Sequence, residues 1–423
     1  MNLDRESVRK KLPANLDELA KETGALRRRR AVKCAEQLIW MSLMYSGLVG
    51  SLRATSALGE DTGDFDLNDT SVLYRLKNSV AFLTAVLNHL LLGSSRQFAA
   101  KGVHRRICLQ DASVVSIPGS KGGDFRIHAA YVPGQGLSSV ELTSIKGAER
   151  LERCEYNAGD IVIADQGLAH SRDIHHVQSV GAYSLLRACL QNLKLQDACG
   201  KKLVPSELLD LADKGVTSVD VFVPHPGADK PVQARLVMGR LPQEQAGRAR
   251  EKLKQRLSKK QKSPRDLTVR MAGYVVLLTT VPASELTDEE VLKTYRLRWQ
   301  IELFFKRCKS LLGMDELAAT GNLAKSWLLG KLIIAALIDR SILKIHQEAC
   351  SDYKVASRNL WRLTEYCQLE LKAAMLGVCS EHPLFAGKSA EFLVEAPRKR
   401  KTVASRVDDL YGKMNSQLGR PRS

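Results

Sequence analysis

The chain has 423 residues, enough for two or three domains with a core each. Its 44% hydrophobic and 26% charged residues are those of a globular protein, which excludes fibrous and low-complexity classes. Lys and Arg number 64 against 46 Asp and Glu, and the resulting +18 argues for a polyanionic partner, nucleic acid ahead of an anionic membrane.

Residues 1–12 are charged and hold no apolar run, so no secretory signal is expected there. The most apolar stretch, 332–338, is far too short for a membrane span and reads as a buried helix. The nine cysteines form no Cys-x-x-Cys pair, and their odd number fits reduced thiols in a cytoplasmic protein. His175 and His176 are adjacent, which is poor ligand spacing. They are expected on the surface of a short helix, and zinc is not expected.

Residues 1–95 read as a helical N-terminal region. Apolar positions recur at helical spacing over 16–21, four arginines (27–30) lead into a helix through Trp40 and Met44, and another helix follows a cap-like Asp69 over 72–92. Short basic helices suit DNA recognition, and a plain helical domain with a solvated arginine run fits the same residues.

From residue 96 to 190 the pattern changes to short apolar runs broken by glycine. Strands are predicted at 106–111, 125–132 and 140–145, the last two joined by a turn at Gly134 and Gly136. Another runs over 160–165, followed by a helix at 171–179 and a strand at 182–186. Strands alternating with helices indicate an α/β core with parallel members. Two of these strands end in an acid, Asp111 and Asp165. A lone Asp there is commonly a turn-former or helix cap, but a pair after two core strands points to a site. Asp124, in a Gly-Gly-Asp turn, and Asp160, just after Gly159, read as turn residues.

Residues 191–284 form an insertion, mostly β. Strands at 216–223 and 232–238 flank a Pro-His-Pro-Gly turn, a strongly basic helix-like stretch covers 243–262, and an apolar strand at 272–281 leads back to the core. The core resumes over 285–320. Thr287 with Glu290 forms a capping-box pattern, and no proline or glycine interrupts 287–312, so one long helix is predicted. At about 100° per residue, Tyr295, Arg298, Glu302 and Lys309 share one stripe about 20 Å long. A single carboxylate among cations suits a surface that meets phosphate and holds a metal, and the residues by themselves fit a solvated helix equally well. Helices at 323–346 and 356–376 make up a C-terminal region over 321–396, and a basic tail opening with Arg398-Lys-Arg-Lys401 covers 397–423.

The order Tyr295, Arg298, Glu302, Lys309, with gaps of two, three and six residues, resembles the Tyr-Arg-Glu-Lys signature of DDE transposases of the insertion-sequence-four family. Asp111-Ala-Ser-Val-Val-Ser with Asp124-Phe-Arg-Ile-His128 is similar to the family's first-aspartate region. Ile163-Ala-Asp165-Gln-Gly is similar to the second. The resemblance departs at Gln166, where relatives commonly carry arginine, and no tryptophan stands in the insertion.

This resemblance implies a ribonuclease-H-like mixed sheet core with an inserted mostly-β subdomain, flanked by helical N- and C-terminal regions. It implies Asp111, Asp165 and Glu302 as catalytic carboxylates and metal ligands. Such hard oxygen donors suit Mg²⁺, with Mn²⁺ able to substitute, in two-ion chemistry on a phosphodiester. Tyr295, Arg298 and Lys309 are implied as DNA contacts. The expected partners are double-stranded DNA, both transposon ends and target, and a second copy of the chain on that DNA. No Gly-x-x-x-x-Gly-Lys motif is present, so ATP is not expected, nor is a membrane. A catalytically inactive DNA-binding descendant and a metal-dependent nuclease without strand transfer are the alternatives.

Overall fold

The computed structural model describes residues 3–99, 105–213, 215–317, 319–349 and 360–378. The basic tail and the C-terminal region beyond 378 lie outside them. The first elements are helical: α1 (Arg5–Arg9), α2 (Leu16–Glu22), α3 (Ala35–Met44), a π-helical turn at Tyr45–Val49, α4 (Leu52–Asp61), α5 (Asp69–Asn78) and α6 (Val80–Ala99). Then come β1 (Ile107–Val115), β2 (Phe125–Val132), β3 (Gly136–Ser144), β4 (Ile161–Ala164), α7 (Ser171–Ser179) and β5 (Tyr183–Arg187). The inserted stretch holds α8 (Pro205–Ala212), β6 (Thr217–Val223), β7 (Val232–Arg240), α9 (Gln243–Ser258), α10 (Asp266–Met271) and β8 (Tyr274–Thr279). Helices α11 (Asp288–Tyr295), α12 (Trp299–Ser310), α13 (Gly321–Ala349) and α14 (Leu360–Met375) complete the chain.

These elements fall into two compact units. The helical unit draws on Met1–Val103, Ala112–Ala148 and Ile301–Asp409, and the sheet unit on His104–Asp111 and Glu149–Gln300. The division cuts β1 after Asp111 and α12 after Gln300.

In the helical unit, Trp40, Phe82 and Phe304 are among the largest side chains fully removed from water. At about 1.5–3 kcal/mol for each such apolar side chain, this burial is what holds the helices together. A Cβ on Gly330 of α13 would stand 2.3 Å from the Ser46 hydroxyl, so only glycine permits that close approach. The β2/β3 hairpin is antiparallel and its turn uses Gly134 and Gly136 at φ +79° and +85°, as their glycines predict. Beside it Asp339 is half-buried and accepts from the Leu137 amide at 3.3 Å. Burial pushes its carboxyl up to about 6, against the pull of Arg307 and that amide.

Two local expectations are corrected in this unit. The cap before α5 is Asn68, whose side chain accepts from the Ser71 amide at 2.8 Å, and Asp69 is the first helical residue. The helix predicted over 72–92 is two helices that break at Ser79, which leaves the helical region at φ −91°, ψ 1°.

The strand order is β3-β2-β1 within the helical unit and β1-β4-β5-β8-β7-β6 within the sheet unit. Strands β1, β4 and β5 run parallel, whereas β8, β7 and β6 add on by antiparallel pairing. The strands of the inserted stretch therefore extend the edge at β5 instead of forming a sheet of their own. Ile107, Cys108, Leu109, Ile161–Ala164, Leu185 and Leu186 are all buried, as expected of parallel strands covered on both faces. Three parallel strands, a hairpin after the first of them and flanking helices make the mixed α/β core expected above. Among the described residues, no helix is long and apolar enough to cross a membrane.

Candidate active site

Register fixes the site. Gln110 of β1 pairs with Ala164 of β4, and Ala164 pairs with Leu186 of β5. The residues that follow are Asp111, Asp165 and Arg187, one on each of three neighbouring parallel strands. Strands lie about 4.7–4.9 Å apart, so the two carboxylates start from adjacent backbone positions at the carboxyl edge. That edge is where open α/β sheets bind ligands.

The two aspartates reach this edge differently. Asp165 follows the last residue of β4 and precedes a short 3-10 helix, Gln166–Leu168, with extended backbone at φ −81°, ψ 172°. Asp111 does not end its strand, as was predicted, because β1 runs on to Val115. What ends at Gln110 is the pairing with β4, and burial falls from complete to partial at Asp111 itself. Of the Ala-Ser-Val-Val continuation only Val115 is buried, Ala112 and Ser113 being half-buried and Val114 exposed, which hid it from a reading based on apolar runs.

Tyr295 joins this pair. Arg235 of β7 anchors the start of α11 by donating to the Asp288 carboxylate and, at 2.6 Å, to the Leu286 carbonyl. The capping box is formed: the Glu290 carboxylate accepts from the Thr287 amide at 3.0 Å, and the Thr287 hydroxyl accepts from the Glu290 amide at 3.4 Å. At the far end of α11 the Tyr295 hydroxyl donates to Asp165 Oδ1 at 3.2 Å. Burial and the Asp165 charge push its pKa up, against Arg298 and Arg187, so the phenol stays protonated and can only donate to that carboxylate.

The single long helix predicted over 287–312 is interrupted. Arg296–Arg298 form a 3-10 turn between α11 and α12. Residues three apart eclipse in a 3-10 helix, and the Arg298 guanidinium accordingly lies 5.8 Å from the Tyr295 ring centre. A sequence without proline or glycine carries no sign of this break, which coincides with the tertiary contact of Tyr295.

Glu302 and Lys309 sit on the part of α12 that belongs to the helical unit. Glu302 is half-buried, and the Lys309 ammonium donates to the Val114 carbonyl at 3.0 Å. Asp111, Asp165, Tyr295 and Arg298 belong to the sheet unit.

Other acids find other duties. Asp124 accepts from the Ile117 amide at 2.7 Å and from Ser120 at 2.8 Å, which makes it a turn residue. Asp160 is more than a turn residue, since it is buried and ion-paired with Arg106 at 2.7 Å. Glu149 was not singled out by sequence, yet a Cβ on Gly167, two residues past Asp165, would stand 3.1 Å from its carboxylate. His175, expected on the surface, is half-buried, bonds the Val223 carbonyl at 2.8 Å and packs on His225 at 5.3 Å.

Among the described residues, no group of three or more His, Cys, Asp or Glu is assembled to hold a metal ion. The donor chemistry of Asp111 and Asp165 nonetheless fits Mg²⁺, a hard ion that takes one or two carboxylates and leaves its other positions to water and phosphate.

Residues 104–338 match the family model described as Transposase DDE domain. The chain is 34% identical over 337 residues to a transposase for insertion sequence element IS421 from Escherichia coli, covering 77% of this chain and 90% of that one. It is 33% identical over 336 residues to a putative transposase InsL for IS186A from Escherichia coli (strain K12), with the same coverage. A transposase for IS231B from Bacillus thuringiensis subsp. berliner is 24% identical over 351 residues, covering 72% of each chain. Among solved structures, a piggyBac transposase synaptic complex with hairpin DNA aligns over 95% of this chain and 85% of that one, at 10% identity and a TM-score of 0.40. With its matched domain spanning both core aspartates and the Tyr295–Lys309 segment, the chain belongs to the DDE transposase family, alongside transposases of bacterial insertion sequences.

Proposed function

We propose that this transposase moves DNA by cut and paste, with metal-dependent hydrolysis at the element's ends followed by transfer of the new 3′-OH groups to target DNA. The observation that carries this reading is the level placement of Asp111 and Asp165 on adjacent parallel strands, with Tyr295 donating to Asp165. Glu302 is proposed as the third acid because of its spacing from Tyr295, Arg298 and Lys309. These three acids would hold Mg²⁺ or, in its place, Mn²⁺. When bound, the ion supplies a more acidic water and Lewis-acid stabilisation of the phosphate charge.

The chain's own groups do the positioning. Tyr295, a neutral donor, fixes the rotamer of Asp165. Arg298 and Lys309 meet DNA phosphates, the first as a planar fork and the second as a point charge. In cutting, a water oxygen bonds to phosphorus as the bond to the 3′ oxygen breaks, leaving a 3′-OH and a 5′-phosphate. In joining, that 3′-OH attacks a target phosphodiester, whose own 3′ oxygen leaves. One phosphodiester replaces another, so ATP is not needed. The working form is a homodimer that pairs two ends.

The test is incubation of purified protein with DNA bearing its gene's own flanks and a target plasmid, with Mg²⁺ or EDTA. Mg²⁺-dependent 3′-OH ends joined to the plasmid are expected. Cutting without joining would indicate a nuclease, and binding with neither would indicate an inactive descendant.

A further inference from the structure

We propose that Arg235, on strand β7 of the inserted stretch, is a positioning residue for cutting that acts through Tyr295 on Asp165. The inference rests on the reading above, because it names what holds one group of that site in place. Every residue it uses lies in the sheet unit. Register puts Arg235 beside Thr279 of β8, Thr279 beside Leu185 of β5, and Leu185 beside Ile163 of β4, just before Asp165. At about 4.8 Å a step, the path from β7 to β4 spans about 14 Å. Helix α11 packs on β7, β8 and β5, and its eight residues rise about 12 Å at about 1.5 Å each. It is therefore long enough to reach from the inserted strands to the core.

Polar bonds tie this helix at both ends. At its start the buried Arg235 guanidinium donates to the Asp288 carboxylate and, at 2.6 Å, to the Leu286 carbonyl. At its end the Tyr295 hydroxyl donates to Asp165 at 3.2 Å. Between the ties Val291 and Thr294 are fully buried. A buried ion pair adds little stability over apolar side chains of the same volume, so burial alone does not call for an arginine here. What the arginine adds is direction. Apolar contact leaves a helix free to slide or turn over a sheet, whereas a planar fork bonded to both a carboxylate and a carbonyl fixes its place and its rotation. The helix carries that placement to its other end. A shift of about 1 Å at Tyr295 would break the bond to Asp165.

The test is a double-mutant cycle in the full chain, with Arg235→Met, an apolar replacement, made in wild type and in Tyr295→Phe. Single-turnover cutting of duplex DNA carrying the element's end is followed at saturating DNA with Mg²⁺, per folded molecule. Arg235→Met alone should slow cutting roughly 10-fold, the scale of a misplacement remote from the chemistry. In Tyr295→Phe it should slow cutting less than about twofold further, since the tie it serves is already gone. Arg235→Lys, which keeps the charge and loses the fork, should fall between Arg235→Met and wild type. The same slowing in both backgrounds overturns the proposal, because a merely structural role predicts it, and so does no slowing in either. Should Arg235→Met melt below the assay temperature, Asp288→Asn removes the carboxylate partner and enters the same cycle. A second readout needs neither DNA nor metal: the fluorine resonance of Tyr295 in protein labelled with 3-fluorotyrosine, assigned by its loss in Tyr295→Phe. Arg235→Met should shift or broaden that resonance, as Asp165→Asn should. A wild type that does not cut defeats the proposed function alone, and the resonance then decides: left unchanged by Arg235→Met, it overturns the role given to Arg235.

Discussion

The two ends of β1, β4 and β5 carry their charges in opposite conditions. At the amino end, Arg106 and Asp160 pair at 2.7 Å with side chains only 11% and 4% exposed. Next to them Arg105 bonds Glu285 at 2.7 Å and stacks 4.3 Å over the Tyr183 ring. At the carboxyl end, Asp111, Asp165 and Arg187 are half-exposed, and the partner found for Asp165 is a neutral phenol. Both ends hold aspartate and arginine at strand termini, so residue type does not separate them. The amino end satisfies its charges within the protein, and such charges hold a fold. The carboxyl end keeps its charges half-exposed, where the proposed metal and DNA phosphates would reach them.

The largest way to test this contrast is to neutralise one acid at each end. Asp165→Asn should lower Mg²⁺-dependent cutting at least 1,000-fold, about 4 kcal/mol of lost stabilisation, in a single-turnover assay. Its urea midpoint should stay near that of wild type. Asp160→Asn should do the reverse, since it strands Arg106 in a buried setting: a loss of about 3–5 kcal/mol by urea melt, with cutting per folded molecule retained. Equal effects of the two changes on cutting would erase the distinction between the ends.

Tyr295→Phe sharpens the contrast at the carboxyl end. It removes one hydrogen bond to a charged group, about 1.5–3 kcal/mol, and should slow cutting roughly 10- to 100-fold. If the phenol orients Asp165, the salt dependence of DNA binding stays unchanged. A shallower slope would return Tyr295 to the direct phosphate contact implied by resemblance.

The smallest expected effect concerns a half-buried acid away from both ends, Asp339. Its carboxyl is raised to about 6 by burial, so between the ordinary carboxylate range and pH 6 the folded state holds a proton that the unfolded state has lost. Stability should therefore fall as pH rises from about 4 to 6, and level off above. Asp339→Asn should remove that slope in melts taken across the range. A slope that persists would assign it to other groups.

Much of this was legible in local pattern. Strand β2 and helix α7 lie where the short apolar runs and the glycine breaks between them put them, because each segment's own residues carry that signal. The capping box at Thr287 formed for the same reason, since its partners are three residues apart. The choice of Asn68 over Asp69 as a cap and the break at Ser79 turn on one residue's backbone angles, which two adjacent capable residues do not specify.

What the chain determined by itself was therefore the kind of fold, the excess of positive charge, the two aspartates after core strands and the spacing from Tyr295 to Lys309. Tertiary structure decided which strands became neighbours, that the inserted strands extend the edge at β5, that α11 gives way to a 3-10 turn, and that Tyr295 reaches Asp165. It also set Arg187 level with the two acids. The physical reason is one of range. Periodicity and capping join residues a few positions apart, whereas register is a choice among strands far apart in sequence, fixed only when a whole apolar face is buried at once.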